Sequence, residues 1–142
     1  MLITSFIALT WPSGATVANK ETGRKKGKGP LAGMRVIDLT AMVMGPYCTQ
    51  IMADMGADVI KIEPPGGGDG TRYISVGPAP GMSGVFVNVN RGKRSVVLDL
   101  QSEAGRVALR KLIETADVFI HSMRSKAIAK LGFSYEDVAA IK

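Results

Sequence analysis

Residues 34–62 carry a strand–helix–strand pattern with short links, the feature that most restricts how this 142-residue chain folds. Met34–Thr40 has a largely β-branched apolar core at Val36, Ile37 and Leu39, suited to a buried strand. Gly45-Pro46 ends it, and Pro46 fits the first turn of a helix, where its missing N–H costs nothing. Cys48, Ile51, Met52 and Met55 then recur at i, i+3, i+4 and i+7, which predicts an amphipathic helix with Cys48 packed in the core. Gly56 supplies the stop and Asp58–Ile62 reads as the next strand. Two strands joined by a helical crossover pair in parallel.

Beyond Glu63 the chain is rich in glycine and proline, and residues 64–84 read as an irregular segment. Val85–Val89 alternates weakly and Ser95–Leu100 gives a clearer strand. Ser102 is placed to cap a helix whose inward stripe is Ala108, Leu109, Leu112, Ile113 and Ala116, with Arg106, Arg110 and Lys111 outward. Asp117–His121 follows as a strand, Ser125–Leu131 as a short helix closed by Gly132, and Ser134 as the cap of a last helix. The order β-α-β, loop, β-α-β-α-α predicts a doubly wound α/β fold.

The composition, 46% hydrophobic and 21% charged, is that of a globular chain rather than a disordered one. A single cysteine excludes an internal disulfide framework and a Cys-only zinc site, and makes a reducing, cytoplasmic setting the default expectation. The net charge of +6 invites a nucleic-acid reading, but it is unevenly placed. Within residues 1–30, five cations stand against Glu21 alone, most of them in Gly23–Pro30, which lacks apolar periodicity. Residues 1–30 therefore read as a basic, flexible tail, with an arm for nucleic acid or a targeting element as the other readings. Met1–Trp11 is mildly apolar, yet it has no basic residues before it and is too short to span a bilayer. No later segment has the length for a transmembrane helix, so no membrane partner is expected; few aromatics, no recognition motif and cations concentrated in the tail weigh against a nucleic-acid partner.

No segment matches G-x-G-x-x-G after the first strand, and Gly66–Gly70 lacks the helix and Gly-Lys-Ser/Thr of a phosphate loop. Arg91-Gly-Lys-Arg94 is the densest cationic cluster of residues 31–142, read either as a solvated face or as a holder of phosphates. Arg124, Lys126 and Lys130 follow the last strand, where open α/β sheets bind ligands. His121 ends an apolar strand and reads as a hydrogen-bonded structural residue; Asp38 and Asp99, at strand ends, are either functional or caps. No metal-ligand cluster and no activated nucleophile is legible.

Several motifs in one order carry a resemblance: Leu31–Thr40, Gly45-Pro46, Ala53–Pro64, Gly67–Arg72, Asn90–Leu100, Glu103–Arg106, Ala116–Val118 and Leu131–Glu136. Together they make residues 31–142 similar to the start of the class III CoA-transferases, a family that includes formyl-CoA transferase, carnitine CoA-transferase and the alpha-methylacyl-CoA racemases. The resemblance implies a Rossmann-like parallel sheet, the N-terminal part of a large domain that binds CoA, in homodimers whose chains interlace. It implies CoA or acyl-CoA as substrate, a carboxylate as second substrate and no permanently bound cofactor. Positions implied to contact CoA are Val43 and Met44, then Leu98, Asp99, Leu100 and Gln101, then Ser122, Met123, Arg124 and Lys130.

Two positions depart from the family pattern. Val43 stands where formyl-CoA transferase has a glutamine, against that specificity, and Pro64 stands where many members have an arginine for the nucleotide. One cationic contact is then expected to be lost, or supplied by Lys61 or Arg72. The family's catalytic residues, an aspartate that forms an enzyme–CoA thioester or a histidine–aspartate pair in racemases, fall beyond the position of Lys142. The chain is thus expected to be an incomplete CoA-binding portion, residues 31–142, with no catalytic residue of its own. A racemase-type isomerase, a non-catalytic fragment that pairs with a full-length homologue and, last, a small basic nucleic-acid-binding protein are the alternatives.

Overall fold

The computed structural model describes residues 28–142. The basic tail expected over residues 1–30 lies mostly outside them, as does Met1–Trp11. Four parallel strands, β1 (Arg35–Leu39), β2 (Asp58–Glu63), β3 (Arg94–Val97) and β4 (Val118–His121), form one sheet in the order β3-β2-β1-β4. Helices α1 (Met44–Asp54), α2 (Gly84–Asn90), α3 (Glu103–Glu114), α4 (Ser125–Lys130) and α5 (Tyr135–Ala139) connect and follow them. This is the doubly wound parallel arrangement that the strand–helix order predicts.

Side chains alternate across a strand, so each strand feeds two faces. On one face Ile37, Ile60 and Ile62 meet Leu109 and Ile113 of α3, Ile128 of α4 and Phe133 in a continuous apolar core. On the other face only the amino half is apolar, where Val36 and Val59 pack with Met52 and Ala53 of α1. Its carboxyl half holds Asp38, Lys61 and Glu63, all buried. The caps at Ser102 and Ser134 form as expected, each hydroxyl accepting a backbone N–H of its helix's first turn.

Two expectations fail. The weakly alternating stretch Val85–Val89 lies in a helix, Gly84–Asn90: Ser83 Oγ accepts the N–H of Phe86, and Phe86, Val89 and Asn90 turn inward at helical spacing. Helix α1 is rotated so that Pro46, Thr49 and Gln50 are buried, while Cys48, Ile51 and Met55 are exposed. The cause is Asp38, fully buried at the end of β1, which draws Thr49 inward by a 2.5 Å hydrogen bond. A buried carboxylate without partners costs several kcal/mol, more than a few half-exposed methionines recover.

Lys93 completes this knot. Its ammonium donates to Asp38 Oδ2 (3.0 Å), Pro46 O (2.7 Å) and Asn90 Oδ1 (2.9 Å), joining β1, α1 and α2. Burial pulls its pKa down to about 8 against the upward pull of Asp38. Replacing Asp38 by alanine is expected to cost about 3–5 kcal/mol, because Lys93 is left buried without its counter-ion. In urea denaturation the double variant Asp38→Ala, Lys93→Met should lose less than the two single losses together.

Candidate functional site

Beyond the carboxyl ends of the strands lies a cavity of about 300 Å³. Leu39, Thr40 and Ala41 at the end of β1, Glu63–Pro65 and Gly68–Gly70 at and beyond the end of β2, Leu98–Gln101 after β3, and Met123 and Leu131 around α4 line it. Open α/β sheets bind ligands in this crevice, because loops of adjacent strands diverge there. A neighbouring cavity of about 470 Å³ lies between Pro64–Gly68 and Ala79–Met82, beside Ser95 and Val97 of β3.

The floor of the first cavity is ionic and satisfied. Lys61 donates to Thr40 O (2.8 Å) and pairs with Asp69 (2.8 Å). Glu63 receives the guanidinium of Arg72 at 2.7 and 2.6 Å, the hydroxyl of Ser95 at 2.5 Å and the N–H of Asp69 at 2.9 Å. Arg72 also lies 3.8 Å above the Phe86 ring. Lys61 and Arg72 are thus both paired with carboxylates within the fold.

In the Arg91–Arg94 cluster every cation has a carboxylate partner, with Lys93 buried and Arg91 and Arg94 exposed. Arg91 pairs with Asp54 at 2.5 Å, Lys93 with Asp38 and Arg94 with Asp58 at 2.6 Å, and Arg35 shares Asp58. Carboxylates from α1, β1 and β2 consume the cations of one loop.

Leu98, Asp99, Leu100, Gln101 and Met123 come together in the cavity wall. Asp99 serves its own turn, its carboxylate accepting the N–H of Gln101 at 2.9 Å. Gly105 lets α3 approach this segment: a Cβ there would sit 2.0 Å from the Asp99 carbonyl oxygen. Val43, Met44, Ser122, Arg124 and Lys130 fall outside the lining, yet Ala41, Met123 and Leu131 beside them belong to it. Ser122 Oγ accepts the Ala41 N–H at 3.1 Å, tying the β1 and β4 ends together. Val43 precedes α1, Met44 opens it and is 79% exposed, Arg124 caps α4 through its carbonyl, and Lys130 is exposed in its last turn. The His121 ring lies 6.0 Å from that of Phe119, tilted by 45°, and its buried Nδ1 has no partner among the described residues, so the expected hydrogen bond is absent there.

Sequence reasoning missed the lining from Glu63–Pro65, Gly68–Gly70 and Leu131. The glycines of residues 66–70 were the available signal, since they let the backbone turn over the cavity.

A family model described as CoA-transferase family III matches residues 31–142. The chain belongs to CoA-transferase family III. Among its relatives in this family, an acetyl-CoA:oxalate CoA-transferase of Acetobacter aceti is 45% identical over 122 residues, covering 85% of this chain and 31% of the relative. A succinate–glutarate CoA-transferase of Agrobacterium fabrum is 42% identical over 120 residues, 80% of this chain and 30% of its own length. A CAIB/BAIF family protein from Brucella suis superposes with a TM-score of 0.73 at 39% identity, over 80% of this chain and 31% of that one. Rv3272 from Mycobacterium tuberculosis, in its orthorhombic form, gives 0.74 at 40% identity, over 82% and 32%. The chain spans about three tenths of the length of these relatives and corresponds to an N-terminal portion of the family fold.

The floor of the cavity sets an acid limit. Burial raises Glu63, but the hydrogen bonds from Arg72 and Ser95 outweigh it and hold its pKa below the ordinary 4.5. Burial likewise raises Asp69, and Lys61 with the Thr71 N–H brings it below 3.8. Both pKa values are depressed by folding, so their stabilisation is complete above about pH 4.5 and is lost as pH falls through the folded values. Urea midpoints should hold level from pH 7 to 5 and fall steeply below 4.5, and Glu63→Gln should flatten that fall.

Proposed function

We propose that this chain is the CoA-binding portion of a transferase that moves CoA from an acyl-CoA thioester to a carboxylate. What carries the reading is the cavity wall. Leu98–Gln101 and Met123, over twenty residues apart and each assigned to CoA by resemblance alone, line one cavity at the carboxyl end of the sheet. Leu98, Leu100 and Met123 offer apolar surface for adenine or pantetheine. Arg124 and Lys130, exposed beside lining residues, suit the 3′-phosphate and pyrophosphate. Val43 and Met44 extend the contact past Ala41. The relatives named above as CoA-transferases favour transfer over racemisation. CoA enters as substrate, and no permanently bound cofactor is part of the reading.

The whole protein is read as a cytoplasmic homodimer. Among the described residues no helix is long and apolar enough to cross a membrane. The residues of this chain bind and orient the thioester; the nucleophilic aspartate belongs to a segment past the position of Lys142.

Calorimetry of the 142-residue chain with CoA and with acetyl-CoA should show saturable binding at one site. Arg124→Ala and Lys130→Ala should each weaken it by about two- to tenfold, more so at low salt. A sample with intact helical circular dichroism that gives no heat with either ligand overturns the reading.

A further inference from the structure

The turn between β1 and α1 contains Met42, whose φ of 67° makes it the one non-glycine residue in the left-handed region among those described. An unbranched side chain pays to stand there, and such strain persists only where surrounding contacts impose it. The contacts here are explicit. The Met42 N–H donates to Asp69 Oδ1 at 3.3 Å, and the same oxygen accepts the N–H and hydroxyl of Thr71 at 2.9 and 2.8 Å. The other oxygen of Asp69 pairs with Lys61, whose ammonium also holds Thr40 O on the near side of the turn. Asp69 and Lys61 are both buried, so the clamp is shielded from solvent. Met42 itself is half-exposed and makes no other hydrogen bond that would fix its backbone.

From this we infer that Asp69, charge-balanced by Lys61, is a positioning residue. It holds Met42 left-handed so that the turn presents Val43 and Met44 to CoA. This rests on the coenzyme reading above and adds to it a cause for the shape of the turn. A clamp across the cavity floor ties the loop after β2 to the loop after β1.

The test is a set of variants at the two ends of the clamp, read by CoA calorimetry and by NMR of residue 42 (Cα and Cβ shifts and the HN–Hα coupling). Asp69→Ala should release residue 42 from the left-handed region and weaken CoA by about tenfold. Met42→Gly takes the same φ without strain and should bind like the parent chain. Combined with Asp69→Ala it should restore affinity to within about threefold. Met42→Val leaves Asp69 untouched, resists the left-handed region, and should weaken CoA by about tenfold even where Asp69→Ala fails to fold. Residue 42 still left-handed in Asp69→Ala, parent-like affinity in Met42→Val, or no rescue by Met42→Gly would each overturn the inference. A parent chain that binds no CoA instead overturns the coenzyme reading and the presentation of Val43 and Met44. The NMR arm then still decides whether Asp69 holds the turn.

Discussion

A carboxylate sealed from water at the end of a central strand forces the surrounding structure to answer it. Asp38 is such a group, and Lys93 answers it from 55 residues along the chain. Their contact fixes more than one pair of side chains. Thr49 is drawn under α1, Asn90 is held at the end of α2, and the Pro46 carbonyl is occupied within the first turn of α1. The helix covering this side of the sheet is placed by polar demand, whereas α3 on the opposite side is placed by an apolar stripe in the ordinary way.

The same principle runs along the carboxyl edge of the sheet. Lys61 with Asp69 and Arg72 with Glu63 continue the buried ionic layer from β1 to β3, with Ser95 as its last member. Such a layer contributes little net stability, since desolvation offsets much of the attraction. What it supplies is geometry: the buried ion pairs hold the strand ends in one arrangement, and the loops that frame the cavity inherit it.

The sequence of strands and helices along the chain, the helix caps and the core stripe of α3 were legible because each depends on local spacing: Val36 with Ile37, Ser102 with Gly105, Leu109 with Ile113. The orientation of α1 was not, because the apolar pattern of Cys48, Ile51 and Met55 was overridden by one residue on another element. Helix α2 hid behind an alternating valine pattern, although Phe86, Val89 and Asn90 already held the helical period. At the site, Leu98–Gln101 and Met123 were named from resemblance and gather in one cavity. The Arg91–Arg94 loop misled for a physical reason. A run of cations says nothing about carboxylates as distant in sequence as Asp38, Asp54 and Asp58.

Arg72 stands at the neck of the excursion between β2 and α2, bridging Glu63 at its start and the Gly81 carbonyl near its end. Closing a loop costs entropy that grows only with the logarithm of its length. With the neck already bridged, residues 74–80 form an exposed tip whose length is almost decoupled from the cavity below. Evolution can therefore rewrite that tip, by insertion or exchange, and diversify what flanks the cavity mouth while the ionic floor keeps its register.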